Sequence, residues 1–471
     1  LGLGLGPVLF FILLLGQPFI GLSPEANATL AVTVWVSLWW IIEIVPIPVT
    51  SLLPIVLLPL SNAAEIDQTT AAYGDKMLFL FIGGFIIALA MEKSNLHRRI
   101  ALNIIQLVGT SPSKILLGFM VATGLLSMWI SNTATTLMML TIVTAIIHQL
   151  SIKSPENNEL PRFFKSLLLG IAYAASIGGI ATLVGTPTNP IFVAIANDLY
   201  QDDISFYKWM LIGIPFSVLM IFIAWRILLF QYRIRQVNLE MDDRIINDEL
   251  ILLGKITYEE KVVAIVFGFT AFAWIFRTLI IQPFFPMVND TSIAIFGAII
   301  LFLIPIKKNQ TLGILSWAEA VKIPWGVILL FGGGLSLAAA FKSSGLAYWL
   351  GQQLAGLDFL PIFLLILLVT LFVNFLTEIT SNVATASIIL PVLAALSDAI
   401  GIHPYLLMIP ATMAASCAFM LPVATAPNAI VFGSGIIKVR DMAAAGLLLN
   451  IASSIILSLI TYFFVGLIFG L

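Results

Sequence analysis

Residues 131–136 read SNTATT and residues 381–386 read SNVATA, and both lie inside strongly apolar sequence. Ser and Asn are strong helix N-caps, so each pair marks a point where one helix stops and another begins. Non-helical backbone at membrane depth is tolerated only where it is buried in protein or lines a wet cavity. The two motifs therefore decide what kind of helical protein this is.

The surrounding composition fixes the class. The 471 residues are 60% hydrophobic and only 10% charged, with a mean hydropathy of +1.08. A soluble chain carries about 25% charged residues. Many apolar windows exceed the roughly 20 residues needed to cross a bilayer. A membrane β-barrel would instead alternate over segments of about ten residues. The reading is an all-α polytopic membrane protein whose main partner is the lipid bilayer. The single Cys417 excludes an intramolecular disulfide and a cysteine-based cluster. His97, His148 and His403 have no zinc spacing. The net charge of −2 points to no partner class, and nucleic acid is not expected. The opening LGLGLGPVLFF has no basic start and no small-residue cleavage site, so residues 1–22 read as a first span rather than a signal peptide.

Apolar windows place spans near 3–22, 28–48, 50–63, 71–92, 166–196, 208–230, 260–281, 290–306, 325–345, 403–437 and 443–470. Two further apolar regions, 113–150 and 359–398, have the polar motifs at their centres. Basic loops stay cytoplasmic, and Lys and Arg collect at 93–114, 153–165, 226–261, 307–322 and 438–440. Region 113–150 is basic on both flanks: Lys93, Arg98, Arg99 and Lys114 precede it, and Lys153, Arg162 and Lys165 follow it. It therefore reads as a re-entrant hairpin from the cytoplasm. The flanks of 359–398, LDFLP and SDAIGIHPY, are poor in Lys and Arg, so that hairpin is expected to open outward. Eleven crossings and a cytoplasmic N-terminus put 18 of the 22 basic residues inside, with Lys76, Lys208, Arg277 and Lys342 as exceptions.

The halves repeat. FIGGFIIALAMEKSNL (81–96) aligns with FGGGLSLAAAFKSSGL (331–346), and SNTAT with SNVAT, both 250 residues apart. TLVGTPTNPIFV (182–193) resembles PVATAPNAIVF (422–432), with Asn189 matching Asn428. Inverted repeats with broken helices near the midplane are the architecture of many secondary transporters. A lone Gly-Gly, Pro or Ser in such a chain is usually packing, a kink or a local bond. Repetition in register raises the paired motifs above that reading.

The chemistry follows from broken helices. N–H groups at the start of each post-tip helix attract an anion. Pro187 and Pro427 suit a first helical position, with the amides of Asn189 and Asn428 nearby. Two such sites brought together suit a substrate with two carboxylates. None of the four motifs contains Lys or Arg, so a compensating cation is expected. Carbonyls left unpaired at broken helix ends can ligate Na⁺. Ser127 and Thr377 lie one turn before the tips, and Gly185 and Ala424 offer backbone carbonyls. Glu378 and Glu43 are acids in apolar surroundings, where function is the default reading. For both, a hydrogen-bonded structural role is preferred here over proton coupling. Trp39 and Trp40 read as packing or interfacial residues, and the charged run 226–261 as a solvated helix or linker.

These residues resemble the divalent anion/sodium symporter (DASS) family. The resemblance rests on the paired SNT-type motifs, GTPTN and ATAPN, WWIIEIVPIPVTSLLPIVLLPL (39–60) and ASCAFMLPVATAPNAIV (415–431). It implies a homodimeric elevator-type transporter. Scaffold parts would be 1–110 and 258–357, transport parts 111–232 and 358–471, and 233–257 a cytoplasmic linker. Residues 93–110 and 345–357 would be interfacial arms. It implies substrate contact at Ser131, Asn132, Thr133, Thr186, Pro187, Ser381, Asn382, Val383, Thr425 and Pro427. One sodium site would use Ser127, Ser131, Asn132 and Gly185, the other Thr377, Ser381, Asn382 and Ala424.

Two departures matter: Val383 stands where Thr is common, and Ala426 where Pro is common. The expected function is transport of C4–C5 dicarboxylates (succinate, malate, fumarate, 2-oxoglutarate) across the plasma membrane. Exchange is slightly favoured because the substrate site departs from the symporter pattern, with Na⁺-coupled dicarboxylate or citrate symport as the alternative. Sulfate is the runner-up substrate. No cofactor is expected beyond Na⁺ as coupling ion. A channel would more often line a pore with basic side chains. An enzyme would need a nucleophile with its base, or a metal. Neither pattern is present in the sequence, so enzymatic activity is not expected.

Overall fold

Apolar runs in a bilayer must satisfy their own backbone, which favours helices. The computed structural model describes residues 2–109, 111–153, 159–234, 244–307, 309–354, 356 and 359–470. Apart from a small antiparallel pair at Pro305–Ile306 and Asn309–Gly313, the regular structure among these residues is helical.

The first part opens with α1 (Gly2–Gly16), α2 (Pro24–Ile42) and two short helices, Ile47–Thr50 and Leu53–Leu60. The latter pair replaces the single span expected at 50–63, and each has a proline in its first turn. Next come α3 (Lys76–Lys93), α4 (Leu96–Val108), α5 (Pro112–Ser127), α6 (Asn132–Lys153), α7 (Leu160–Gly179), α8 (Thr188–Tyr200) and α9 (Phe206–Gln231). A connecting helix, α10 (Arg244–Leu253), leads to α11 (Tyr258–Phe276) and α12 (Asp290–Leu303). The second half repeats the pattern with α13 (Trp325–Ser343), α14 (Leu346–Leu354), α15 (Ile362–Leu376), α16 (Asn382–Ile400), α17 (Tyr405–Ala414), α18 (Ala426–Phe432) and α19 (Val439–Ile460).

The repeat seen in sequence is thus a repeat of elements. Helices α4, α5 and α6 begin at 96, 112 and 132; α14, α15 and α16 begin at 346, 362 and 382. Nine helices among the described residues are long and apolar enough to cross a bilayer. Shorter apolar helices include α5 and α15, the two that lead into the tips. The expected spans 166–196 and 403–437 each divide into two helices, α7 with α8 and α17 with α18.

Close helix contact holds the first tip. A Cβ on Gly178 of α7 would lie 2.2 Å from the Gly124 carbonyl oxygen of α5. Only glycine allows the two backbones to meet there. Across the halves, Lys165 of α7 pairs with Asp441 of α19 at 2.7 Å, and the Tyr173 hydroxyl donates to the Met442 carbonyl.

The run 226–261 is exposed over much of its described length, as expected, but it is also tethered. Gln106 of α4 donates to Asn247 at 2.7 Å, Arg98 pairs with Glu249, and Arg99 reaches Gly254 and Glu260. These contacts seat α10 on α4. Residues 235–243, in the middle of the expected linker, lie outside the described residues, as do residue 110 and residues 357–358 at the expected part boundaries.

Candidate functional site

The break between α5 and α6 spans Met128–Ser131, and that between α15 and α16 spans Thr377–Ser381. Ser131 accepts a hydrogen bond from the Ala134 N–H at 3.3 Å, a cap of the expected kind. Ser381 makes no such side-chain cap, so the two tips differ here.

Behind each tip sits a matched pair. Ser127 Oγ meets the Asn132 side-chain amide at 2.6 Å. The same end of that amide lies 3.1 Å from the Ala175 carbonyl oxygen and 3.3 Å from that of Gly185. Turned as NH₂, its two N–H groups can donate among these three oxygens, to Ser127 Oγ and the Ala175 carbonyl at the shorter distances. Turned as oxygen, it completes a cluster of four oxygens with one hydroxyl proton among them, which suits a cation. Gly185 makes this approach possible, since a Cβ there would lie 2.4 Å from the Gly179 carbonyl oxygen and 2.9 Å from that of Ser127. In the second half, Thr377 Oγ1 lies 2.8 Å from Asn382 Oδ1 and 2.8 Å from the Ala415 carbonyl oxygen. One hydroxyl proton faces two acceptors, so this cluster is also short of protons. Ser127 and Thr377 are both fully buried.

The second pair of breaks, 180–187 and 415–425, corrects one expectation. The amides of Asn189 and Asn428 are not free for an anion. Asn189 Nδ2 donates to the Thr182 carbonyl at 2.6 Å, to Ile180 at 3.2 Å and to Gly179 at 3.4 Å. Asn428 Nδ2 donates to Leu421 at 3.0 Å and Ala418 at 3.2 Å. Both side chains are fully buried, and each bonds the backbone ten and seven residues upstream. They tie each break shut, because an unpaired buried carbonyl is costly. Neither proline takes the expected first helical position: Pro187 caps α8, and Pro427 is the second residue of α18.

Glu378 supports one break only. Its Oε1 accepts from the Phe419 N–H at 2.8 Å, the Met420 N–H at 2.9 Å and Asn450 Nδ2 at 2.7 Å; its Oε2 accepts from the Leu421 N–H at 3.0 Å. This is the structural role expected of it. Glu43, by contrast, is exposed rather than buried in apolar surroundings, and it ends α2 with φ 52°. Trp40 is a packing residue, fully buried with its Nε1 donating to Ser51 Oγ at 3.0 Å.

All ten expected substrate-contact residues, Ser131, Asn132, Thr133, Thr186, Pro187, Ser381, Asn382, Val383, Thr425 and Pro427, line one cavity of about 560 Å³, together with Gly185 and Ala424. Ser127 and Thr377 lie behind its wall. The hydroxyls of Thr186 and Thr188 meet Ser416 Oγ at 3.3 and 2.8 Å, joining the two breaks beneath the cavity. Sequence reasoning missed the carbonyls of Ala175 and Ala415, which carry no side-chain signal. It also missed Phe81, Phe85, Glu92 and Lys322 in the cavity wall. The exposed Glu43 and Lys322 mark the cavity's rim.

A polytopic helical chain whose doubled helix breaks meet around one cavity has the architecture of a membrane transporter. The family model described as "Sodium:sulfate symporter transmembrane region" matches residues 5–471, and the chain belongs to that family, the divalent anion/sodium symporters its motifs resemble. It is therefore a transporter and not an enzyme. Among its relatives, the sodium-dependent dicarboxylate transporter SdcS of Staphylococcus saprophyticus is 46% identical, over 100% of this chain and 92% of that protein. The protein of that name from Staphylococcus aureus strain bovine RF122 is 47% identical, with the same coverage. Two solved structures share the fold at low identity. The YdaH transporter of Alcanivorax borkumensis superposes with a TM-score of 0.59 at 14% identity, covering 92% of this chain and 98% of that one. MtrF of Neisseria gonorrhoeae gives 0.57 at 13%, covering 84% and 83%.

Proposed function

We propose that this protein is a sodium-coupled symporter of C4–C5 dicarboxylates in the plasma membrane. The observation that carries the reading is the doubled pair behind the tips: Ser127 facing the Asn132 amide with the Ala175 and Gly185 carbonyls, and Thr377 facing Asn382 with the Ala415 carbonyl, on either side of one cavity without Lys or Arg at its tips. With the Asn132 amide turned oxygen-inward, both are oxygen clusters. Neutral oxygens of hydroxyl, amide and carbonyl type suit a hard monovalent cation. Cations held there offset the two carboxylates of a substrate touching Ser131, Asn132, Thr133, Ser381, Asn382 and Thr425. Thr186, Pro187, Val383 and Pro427 shape the wall. Gly185 and Ala424 add backbone carbonyls to the two ion sites.

This reverses the slight preference for exchange. That preference rested on the departures at Val383 and Ala426, which line the substrate cavity and supply no side-chain oxygen to the ion clusters. Relatives of 46–47% identity over the whole chain carry the name sodium-dependent dicarboxylate transporter, which favours symport. In this reading the tips belong to re-entrant hairpins, and the parts 111–232 and 358–471 move as an elevator against 1–110 and 258–357. Support for the elevator and for a homodimer comes from the family resemblance. Support for a cytoplasmic N-terminus comes from the distribution of Lys and Arg.

Uptake of labelled succinate into proteoliposomes tests the proposal. Accumulation in empty vesicles is expected under an inward Na⁺ gradient and not without Na⁺. Uptake that requires internal dicarboxylate and ignores Na⁺ would establish exchange instead. Uptake of sulfate but not of succinate would overturn the substrate class.

A further inference from the structure

Three of the four basic residues that break the positive-inside pattern converge on acids of the other part. Asp203 precedes α9 in the transport part, and its Oδ1 pairs with Lys76 at 3.2 Å. Its Oδ2 lies 3.4 Å from Arg277, just after α11 in the scaffold. Arg277 Nε in turn lies 2.8 Å from Asp290 Oδ1 at the start of α12. The N–H there is not aimed at the oxygen, so this contact is ionic rather than a well-formed hydrogen bond. Asp290 Oδ2 accepts from the Phe206 N–H of α9 at 3.0 Å. Lys342 of α13 faces Asp198 of α8 at 3.9 Å and completes the rim. The fourth exception, Lys208, lies over the Phe469 ring within the transport part.

The centre of this cluster is dry and its edge is wet. The Arg277 and Asp290 side chains are 3% and 5% exposed, that of Asp203 48%. The charged pair in the scaffold is therefore fixed, while its partner on the transport part can let go into water. An aromatic stack ties the cluster to the site. Trp274 of α11 stacks on Phe206 at 4.8 Å between centroids, and Phe206 stacks at 6.0 Å on Trp129, two residues before Ser131. The cavity at the tips has the exposed Glu43 and Lys322 at its rim. A separate cavity of about 510 Å³, lined by Asp75, Asp198 and Lys342, lies between α8 and α13.

We infer that Asp203, Lys76, Arg277 and Asp290 form a latch that holds the transport part in the state whose cavity opens toward Lys322. Breaking it is a step of the switch to the opposite state. This rests on the reading that the two parts move. Burying the Arg277–Asp290 pair costs desolvation, and here the pair secures one conformation of the transport part. Asp203 is the releasable arm and Arg277–Asp290 the fixed one.

The test uses Val423→Cys, at a cavity-lining position that is 83% exposed, in the full protein. Cys417 is buried and stays silent. Labelling by a membrane-impermeant maleimide is measured from each face, in intact cells and inverted vesicles, with and without Na⁺ and succinate. Adding Asp203→Asn is expected to raise labelling from the Lys76 face roughly two- to fivefold, the range for a partly exposed ion pair. Labelling from the Lys322 face should fall. Asp203→Glu, which keeps the charge, should return the rates toward those of the parent. If the parent changes face with Na⁺ and succinate while Asp203→Asn labels as the parent does, the latch is wrong and the moving parts stand. If the parent labels from one face under every condition, the moving-part reading fails and takes the latch with it.

Discussion

The two tips solve the same problem with the same inner shell and different outer shells. At the first, Ser127 faces Asn132; at the second, Thr377 faces Asn382. Each pair is five residues apart, and each has a backbone carbonyl within reach, that of Ala175 near the end of α7 or that of Ala415 at the start of the second-half break. Behind these the halves diverge. In the first half the Thr182 hydroxyl donates to the Met128 carbonyl. In the second, Glu378 gathers the N–H groups of Phe419, Met420 and Leu421 together with Asn450. The residue 250 positions before Glu378 is Met128. What the halves share is what an ion and a carboxylate would touch in the proposed function; what they do not share is how each break is propped.

The largest effects should therefore be symmetric. Asn132→Ala and Asn382→Ala are each expected to reduce sodium-driven succinate uptake to the level of empty vesicles, with the purified protein still monodisperse. Loss in one and normal uptake in the other would break the equivalence of the tips. The next effect should be one-sided. Glu378→Ala strands the N–H groups of Met420 and Leu421 and the Asn450 amide, and leaves the Phe419 N–H only its 3.3 Å contact with Asn450 Oδ1. At about 1–3 kcal/mol for each unsatisfied group, stability should fall by more than about 3 kcal/mol. Met128→Leu, a volume-conserving change at the matching position, should cost less than about 1.5 kcal/mol. Thermal melts in detergent compare the two. Equal losses would show that the outer shells are symmetric after all.

The clamps give a finer comparison. Asn189 reaches three carbonyls and Asn428 two. Each amide has two N–H groups, so the third carbonyl at Asn189 only shares a proton, and at about 1 kcal/mol for each net hydrogen bond Asn189→Ala and Asn428→Ala should each destabilise by about 2 kcal/mol. The same melts measure it, and a loss at Asn189 larger by about 1 kcal/mol would mean that the longest Asn189 contact, to Gly179 at 3.4 Å, carries energy of its own.

How much of this was legible in the sequence depends on which atoms carry it. The tips were legible because Ser, Asn and Thr are rare in apolar sequence and recur at a fixed spacing. The ten cavity residues follow from that repetition together with the family resemblance. The carbonyls of Ala175 and Ala415 were not legible, since every residue has a carbonyl and only the fold selects these two. Asn189 and Asn428 were found and then misassigned. An amide beside a helix break serves an anion or a carbonyl equally well on paper, and only the structure supplies the carbonyls of Thr182 and Leu421. Lys76, Arg277 and Lys342 stood out as exceptions in a charge count, but their acids are distant in sequence: Asp203 lies 127 residues from Lys76.

The smallest expected effect concerns the one difference at the front of the tips, Thr133 against Val383. Thr133 is exposed to the cavity, while Val383 is 8% exposed in its wall. Val383→Thr adds a hydroxyl with almost no change of shape. If that hydroxyl reaches a substrate carboxylate, one hydrogen bond of about 0.5–1.5 kcal/mol is gained, so the KM for succinate should fall by roughly two- to tenfold. If it reaches nothing, burying it is unfavourable, and KM should rise over a similar range. In either case the dependence on Na⁺ should be unchanged, because the ion oxygens belong to Thr377, Asn382 and the carbonyl of Ala415 rather than to position 383. Substrate affinity and sodium activation measured on the same proteoliposomes separate the two. A shift in sodium activation without a shift in KM would move Val383 from the substrate side of the tip to the ion side. The division between shared inner shell and variable front would then have to be redrawn.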